Sequence, residues 1–186
     1  MRRVIAWEMV TVDGYFEGPN RSIDWFVFDD ELEKYILETQ MAADTLLFGR
    51  VTYQMMADYW PSAEGRIADF MNAVPKVVFS RTLDKAEWNN TRLVKNNVPE
   101  EVATLKRQPG NDIFVYGSAN FASTLARHGV IDEYRLGVNP VLLGSGTPLF
   151  NGGRDKLGLK LVETRPLKSG VVILHYEPVT NARRSS

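Results

Sequence analysis

Apolar residues fall along the chain in short runs of two different spacings. Residues 4–12 form a β-rich run that ends at the turn pair Asp13-Gly14. From the acidic pair Asp29-Asp30 onward, apolar side chains recur at helical spacing, with acidic residues in the first turn, where the helix dipole favours them. The sequence therefore begins with a predicted strand, a loop and a predicted helix.

This alternation of strands and helices continues to about residue 138 and gives way to a strand pair. It predicts an α/β fold with a mostly parallel sheet, to which the last two strands add an antiparallel hairpin at one edge. Residues 140–150 are rich in glycine and are predicted to be mostly loop. The further predicted strands are 45–48, 76–80, 91–95, 113–116 and 133–138, the further helices are 51–58, 63–72, 99–107 and 121–126, and the hairpin strands are 160–164 and 171–177.

Length and charge narrow the class of protein. The chain has 186 residues, with 22 Lys and Arg against 23 Asp and Glu, so its formal net charge is −1. It lacks the basic surplus that is typical of nucleic-acid-binding proteins. No linker, repeat or low-complexity segment interrupts it, so we expect one domain over residues 1–178 and a disordered polar tail over 179–186.

The residue types present exclude several kinds of site. Cysteine is absent, which excludes disulfides, thiol nucleophiles and cysteine-ligated metals, and the spacing of His128 and His175 does not indicate a metal site. The charge at Glu8 interrupts the N-terminal apolar run too early for a secretory signal. No run approaches the ~20 apolar residues of a membrane span. We therefore expect a cytoplasmic protein that binds no metal, nucleic acid or membrane.

Candidate chemistry is concentrated at three junctions where a predicted strand meets Gly49, Ser80 or Gly117. Ligands of open α/β sheets bind beyond the carboxyl ends of the strands, where the N–H groups of a helix N-terminus attract phosphate. Two junctions also carry an arginine, Arg50 or Arg81, which suits forked contacts to phosphate oxygens. Each junction alone is consistent with an ordinary turn, but together they indicate a site for a phosphate-bearing dinucleotide.

Several segments in this order resemble a known family. The chain is similar to the dihydrofolate reductase-like superfamily, and within it to the reductase half of the bifunctional deaminase–reductase proteins of riboflavin biosynthesis and to their stand-alone relatives. The similarity runs over about residues 4–177. The segments that carry it are Val-Thr-Val-Asp-Gly at 10–14, Leu-Phe-Gly-Arg-Val-Thr-Tyr at 47–53, Lys-Val-Val-Phe-Ser-Arg at 76–81, the stretch 115–133, Asn-Pro-Val-Leu-Leu-Gly-Ser-Gly at 139–146 and Leu-Phe at 149–150.

The resemblance implies a three-layer fold, with helices on both faces of a mixed, mostly parallel central sheet and a C-terminal antiparallel hairpin. It also implies NADPH as the cofactor, lying across the carboxyl ends of the strands. The residues that would contact it are Val12, Asp13 and Gly14 beside the nicotinamide, Gly49, Arg50 and Thr52 at the phosphates, Ser80 and Arg81 near the adenosine ribose and its 2′-phosphate, and Gly117, Ser118, Ala119 and Asn120 around the pyrophosphate.

The pyrophosphate segment departs from the family pattern. Many relatives carry two or three consecutive glycines there, whereas this chain keeps Gly117 and continues with Ser118. Dihydrofolate reductases have a cis Gly-Gly bond at the corresponding strand end. The resemblance therefore implies a cis peptide between Gly117 and Ser118.

On the substrate side, Trp25 and Asp30 match the spacing of the tryptophan and the pterin-binding carboxylate of dihydrofolate reductases. Reduction of a C=N bond adds a hydride to carbon and a proton to nitrogen, and Asp30 is the candidate proton donor. The alternative is that Asp29 and Asp30 only cap a helix and that Trp25 is a core residue or a pocket wall. A phosphorylated substrate would need a further basic cluster, for which the candidates are Arg21, Arg135, Arg154 and Arg165.

The function that the resemblance implies is that of an NADPH-dependent reductase similar to 5-amino-6-(5-phosphoribosylamino)uracil reductase, which reduces a ribosylamino group to ribitylamino. The bifunctional relatives also carry a zinc deaminase domain built on cysteines, so we expect a reductase alone. Two alternatives stay open: reduction of a pterin such as dihydrofolate, and a non-catalytic nucleotide-binding module of the same fold. The resemblance further implies a homodimer, and the apolar run 171–174, if it forms an exposed edge strand, favours self-pairing.

Overall fold

The computed structural model describes residues 1–151 and 156–179, and the regular elements follow the predicted alternation. In chain order they are β1 (Val4–Thr11), β2 (Tyr15–Glu17), α1 (Asp30–Thr39), β3 (Thr45–Gly49), α2 (Arg50–Tyr59), α3 (Arg66–Ala73), β4 (Lys76–Phe79), β5 (Thr91–Val94), α4 (Val98–Arg107), β6 (Ile113–Val115), α5 (Ala119–Arg127), β7 (Glu133–Asn139), β8 (Thr147–Pro148), β9 (Leu159–Pro166) and β10 (Val172–Pro178).

The main sheet has eight strands in the order β5-β4-β3-β6-β1-β7-β10-β9. The pairs from β5 to β7 are all parallel, and β10 pairs antiparallel with both β7 and β9. This arrangement confirms the predicted mixed, mostly parallel sheet with a C-terminal antiparallel hairpin. It also directs the carboxyl ends of six parallel strands to one edge, where ligands of such sheets bind.

The position of the hairpin corrects one expectation. Strand β10 lies between β7 and β9, so the apolar run 171–174 does not form the edge of the sheet. Val171 and Ile173 are buried instead, because the hairpin folds back and docks its second strand on β7. The edge strand on this side of the sheet is β9, whose Leu159, Leu161 and Val162 are exposed.

A second, two-stranded sheet pairs β2 with β8. The sequence predicted loop for both segments, because strands of three and two residues beside glycine are too short to carry a detectable alternation. The pairing joins the segment after β1 to the segment after β7. It therefore lies above the carboxyl edge of the main sheet.

Helices cover both faces of the main sheet, as the three-layer prediction requires. Buried side chains of α1, α2 and α3 pack with Ile5, Trp7 and Phe48 on one face, and buried side chains of α4 and α5 pack with Val4 and Ala6 on the other. Alternate residues of each strand point to opposite faces, which is why adjacent residues of β1 enter different cores.

The two acidic residues at the start of α1, Asp29 and Asp30, differ in their contacts. The Asp29 carboxylate accepts a hydrogen bond from the Leu32 N–H at 2.9 Å and so caps the helix. Asp30 is exposed in the first turn. The capping alternative is therefore confirmed for Asp29, and the Asp30 carboxyl faces solvent.

Two further expectations stay predictions. The single domain over residues 1–178 is one of them. The disordered tail is the other, since 180–186 lie outside the described residues, while the Val179 N–H donates to the Gly158 carbonyl at 2.8 Å. Among the helices of the described ranges, none has both the length and the apolar character needed to cross a membrane.

Candidate functional site

Two helices begin side by side at the carboxyl edge of the sheet. Gly49 precedes α2 and Ser118 precedes α5, and in the described part of the chain no side chain caps either helix. The Gly49 N–H donates to the Gly117 carbonyl at 2.8 Å. The first N–H groups of both helices are therefore directed to one place, which suits a diphosphate.

Glycine is required at position 49 because the two helix starts approach so closely. A Cβ on Gly49 would lie 2.6 Å from the Ser118 Oγ and 2.8 Å from the Phe121 Cβ. The backbone of Gly49 has an ordinary extended conformation, so the requirement is one of space. The predicted junctions at Gly49 and at Gly117-Ser118 therefore form one continuous surface.

The peptide bond between Gly117 and Ser118 is cis, as the resemblance implied. Gly117 has a φ of +82°, and a Cβ there would lie 2.8 Å from the Phe16 ring and 3.0 Å from the Thr52 Oγ1. Thr52, in the first turn of α2, is therefore at the same site as Gly117. Of the next two predicted contacts, Ala119 is buried and Asn120 is exposed.

The end of β4 supplies two further residues predicted to contact the cofactor, Ser80 and Arg81. The Ser80 Oγ accepts hydrogen bonds from the backbone N–H groups of Thr82 and Leu83, so this side chain shapes its own loop. Arg81 is exposed, and Arg50 at the end of the neighbouring strand donates to the Gln54 side chain at 3.0 Å. Within residues 1–151 and 156–179, neither arginine forms an ion pair, which leaves both guanidinium groups available to an anion.

Residues 12–14 turn away from the end of β1 and pair with the loop after β7. The Val12 N–H donates to the Val141 carbonyl at 3.0 Å, and Gly14 has a φ of +84°. The Asp13 carboxylate accepts from the Thr11 hydroxyl and from the N–H groups of Leu143 and Gly144. These bonds, that of Thr11 first, lower the pKa of Asp13, whose carboxylate thus joins two loops of the site.

The predicted substrate residues are tied to this edge by Asn139, which sequence analysis missed. Asn139 is fully buried at the end of β7; its Oδ1 accepts the Val27 N–H at 3.0 Å, and its Nδ2 donates to the Val10 carbonyl. Trp25 is half-buried, and its indole N–H donates to the Ser22 carbonyl. The segment that carries Trp25 is thereby anchored beside the end of β1.

The candidate arginines for a substrate phosphate are not brought together. Arg135 is half-buried and paired with Glu133 at 3.0 Å, and Arg165 is paired with Glu38 at 3.4 Å, so both are already neutralised. Arg21 is exposed at the end of a short 3-10 helix, Pro19–Arg21, and Arg154 lies outside the described residues. A basic cluster for a phosphate therefore does not form among Arg21, Arg135 and Arg165.

Glu8 is the second residue of this edge that sequence analysis missed. It is fully buried in β1, and the Gly117 N–H donates to its carboxyl group. Burial raises the pKa of Glu8 well above its ordinary value. A signal was present in the sequence, since Glu8 is a charged residue within an apolar strand, but it served only to exclude a secretory segment.

The opposite, amino edge of the sheet holds a cavity of about 1120 Å³ that is lined by the strand starts Thr45, Lys76 and Thr91. None of the predicted cofactor or substrate residues lines it. The ammonium group of Lys76 is bound there by the carbonyls at the end of α3, those of Met71 and Val74 at 2.8 Å each. These contacts terminate a helix, so the Lys76 ammonium group serves the fold.

One group of side chains in the described ranges has the spacing of metal ligands. Glu133, His175 and Glu177 bring ligand atoms within 4.8 Å of one another. Glu133, however, already accepts from Arg3 at 2.7 Å and from Arg135 at 3.0 Å, so its charge is compensated. That the protein binds no metal stays a prediction.

Comparisons with known proteins agree with this geometry. The model of the RibD C-terminal domain family matches residues 2–173. The Bacillus subtilis (strain 168) protein YyaP, which is uncharacterized, is 37% identical over 180 residues, covering 94% of each chain. A crystal structure from Shewanella sp. PV-4, assigned to riboflavin biosynthesis, has a TM-score of 0.81 at 19% identity and covers 95% of this chain and 99% of its own.

A further solved structure is the dihydrofolate reductase of Enterococcus faecalis complexed with NADP(H). It has a TM-score of 0.66 at 15% identity and covers 95% of this chain and 96% of its own. At this level of identity the likeness concerns the fold. Together with the sheet order, it confirms the dihydrofolate reductase-like architecture predicted from the sequence.

Proposed function

This chain belongs to the RibD C-terminal domain family, and we propose that it is an NADPH-dependent reductase of a small heterocyclic substrate. The proposed reaction is hydride transfer to a C=N or C=O group, similar to that of 5-amino-6-(5-phosphoribosylamino)uracil reductase in riboflavin biosynthesis. The family is related to riboflavin-pathway reductases, and the E. faecalis structure of the same fold holds NADP(H).

The observation that carries the proposal is the pair of uncapped helix N-termini that meet at Gly49 and Ser118. A dinucleotide places two phosphates close together, and here two sets of backbone N–H groups converge where a Cβ on Gly49 would leave no room. Gly49, Thr52, Gly117, Ser118, Ala119 and Asn120 would hold this part of the cofactor. The residues present therefore fit a diphosphate.

Arg50 and Arg81 support NADPH over NADH. They stand at the ends of neighbouring strands and have no acidic partner in the described part of the chain. The 2′-phosphate distinguishes the two cofactors, and a guanidinium group binds phosphate through charge-assisted hydrogen bonds. Ser80, which orders the loop after β4, would set the position of Arg81 beside the adenosine ribose.

The chemistry on the substrate side is assigned to Trp25 and Asp30. The bound cofactor would supply the hydride, and the chain must supply a proton to the substrate nitrogen. The exposed Asp30 carboxyl would deliver that proton, while Trp25 would form a wall of the pocket. Val12, Asp13 and Gly14 would border the nicotinamide through their loop.

A pterin is the second candidate substrate, because Trp25 and Asp30 keep the spacing found in dihydrofolate reductases. It is favoured by one more observation: neither Arg135 nor Arg165, two of the arginines considered for a substrate phosphate, is free of an acidic partner. A substrate without a phosphate needs no such cluster.

Binding and turnover of NADPH separate these functions. The purified protein is titrated with NADPH and NADH, and oxidation of the reduced nicotinamide is then followed with the phosphoribosylamino-uracil and with dihydrofolate. Oxidation with the first substrate supports the riboflavin-type reductase, and oxidation with the second supports the pterin reductase. Binding without oxidation of either favours a non-catalytic module, and absence of NADPH binding contradicts the proposal.

The proposed homodimer would form through β9, which lies at the edge of the sheet, and not through β10. Pairing β9 with itself about a twofold axis between Leu161 and Val162 would set Lys160 opposite Glu163 of the partner and cover apolar side chains that are exposed in one copy. Light scattering should give twice the chain mass, and Leu161→Lys should give the mass of one chain. A wild-type protein of single-chain mass at micromolar concentration contradicts this assignment.

A further inference from the structure

Glu8 holds the segment on which the proposed cofactor site depends. Its carboxyl group accepts a hydrogen bond from the Gly117 N–H, while the Gly117 carbonyl accepts from the Gly49 N–H at 2.8 Å. Gly117 is therefore fixed on one side by β1 and on the other by β3. The next residue, Ser118, is the N-cap of α5, so this pair of bonds determines where the N–H groups of that helix point.

The surroundings of Glu8 offer almost nothing to compensate a negative charge. In β1 it alternates onto the same face as Ala6 and Val10, and β7 places Leu136 opposite it. Its Oε1 is buried and has no hydrogen-bond partner within the described ranges. The buried residues of α5 are all uncharged, namely Ala119, Phe121, Ala122, Ser123, Leu125 and Ala126.

In the described part of the chain two tyrosines stand beside Glu8: Tyr134 of β7, which pairs with Ala6 and packs in the same core, and Tyr116, which precedes Gly117. Tyr116 interacts electrostatically with Glu8, and burial raises the pKa of the Tyr116 hydroxyl. The Tyr116 hydroxyl donates to the Gln40 side chain. A tyrosine in this state contributes no positive charge, so it does not stabilise an ionised Glu8.

We propose that Glu8 is a positioning residue of the cofactor site, and that it holds the Gly117 N–H as the neutral acid. This inference rests on the proposed function, because it concerns the cofactor phosphates that α5 would receive. Ionisation would bury an unpaired negative charge beneath the helix start that must attract those phosphates. The neutral carboxyl keeps the hydrogen bond to Gly117 without that repulsion.

The sign of the resulting pH dependence follows from burial, which raises the pKa of Glu8. Below the raised pKa the carboxyl is neutral and cofactor affinity is at its plateau. As the pH rises through that pKa, binding must be coupled to uptake of one proton, so the dissociation constant rises by up to about tenfold per pH unit.

The test compares Glu8→Gln and Glu8→Leu with the wild type, and NADPH binding is measured by fluorescence from weakly acidic to alkaline pH. We expect Glu8→Gln to retain the low-pH affinity, because its amide oxygen still accepts from Gly117, and to lose the wild-type pH dependence. Glu8→Leu should weaken NADPH binding about tenfold at every pH, through loss of that hydrogen bond. Thermal melting establishes that each variant is folded.

Glu133→Gln is the matched control, since it neutralises another buried carboxyl of the sheet at the amino edge. Its NADPH affinity should follow the wild-type pH profile. Identical pH profiles of wild type and Glu8→Gln overturn the inference, as does wild-type affinity in a folded Glu8→Leu. If the wild type binds no NADPH, both the proposed function and this inference fail. If the wild type binds NADPH but neither Glu8 variant changes the binding, only the inference is overturned.

Discussion

The two edges of the main sheet satisfy their polar groups in opposite ways. At the amino edge, charged residues just before the strands are paired: Arg2 with Asp44, Arg3 with Asp112, and Lys106 with Asp132. At the carboxyl edge, Arg50 and Arg81 have no acidic partner in the described ranges, and two helices begin without side-chain caps.

This difference indicates a division of labour between stability and binding. Groups that are paired within the chain stabilise the fold and offer nothing to a ligand. Groups left without partners contribute little to the fold and are available to an anion. Substitutions at the amino edge should therefore change the free energy of unfolding, and those at the carboxyl edge should change cofactor affinity.

The largest effect is expected at the amino edge from Glu133→Gln. The change removes the buried Glu133 carboxylate from the half-buried Arg135 guanidinium, and removal of one partner of a buried ion pair costs about 3–5 kcal/mol. Denaturant unfolding should register this loss, while the dissociation constant of NADPH stays unchanged for the folded variant. An unchanged unfolding free energy, or a weakened affinity, would break the proposed division.

Arg81→Ala should produce the opposite outcome. Loss of a charge-assisted contact to the 2′-phosphate is worth about 1.5–3 kcal/mol, so the preference for NADPH over NADH should fall roughly tenfold to a hundredfold. Stability should be unaffected because the side chain is exposed. Arg107→Ala, an exposed arginine at the end of α4, is the control; equal binding of both cofactors by the wild type contradicts the assignment.

Gly49→Ala tests whether the two helix starts must touch. The new methyl group would meet the Ser118 Oγ and the Phe121 Cβ, and overpacking of this kind costs about 1–3 kcal/mol. Both the melting temperature and the affinity for NADPH should fall, because moving the helices apart also separates the N–H groups that would hold the diphosphate. Gly158→Ala, where a Cβ would make ordinary contacts of 3.6 Å, should alter neither melting temperature nor affinity.

The smallest effect is expected from Asp13→Asn. Hydrogen bonds from Thr11 and Gly144 lower the pKa of the Asp13 carboxyl in the folded chain. A lowered folded-state pKa gives stability above the unfolded-state pKa that is lost as the pH falls through the folded-state value. The melting temperature of Asp13→Asn should therefore decline less at acid pH than that of the wild type, and parallel declines would refute this role.

The sequence was sufficient for the features that depend on local chemistry. The acidic start of α1, the strand-end Gly49 and the antiparallel pairing of the last two strands each follow from residues that are neighbours along the chain. The resemblance added the cis bond at Gly117, and the structure confirms it.

Features that depend on distant partners were not predictable from the pattern. A strand's place in the sheet is set by the neighbour on which it docks. The apolar run 171–174 therefore gave no indication that β9, and not β10, would form the edge of the sheet. Glu8 interrupts an apolar strand, but its partner Gly117 lies far along the chain. Asn139 likewise has an ordinary sequence context, and its role depends on Val27 and Val10.

The hydrogen bonds by which Asn139 connects the two sides of the site are also protected against loss by deamidation. Asparagine deamidates when the backbone nitrogen of the following residue attacks its side-chain amide, and here that residue is Pro140, whose nitrogen carries no hydrogen. Conversion to aspartate would replace the Nδ2 donor with an oxygen facing the Val10 and Gly137 carbonyls. Because Pro140 follows Asn139, this route to aspartate is blocked, and no repulsive charge forms over time at the point that anchors the Trp25 segment to the sheet.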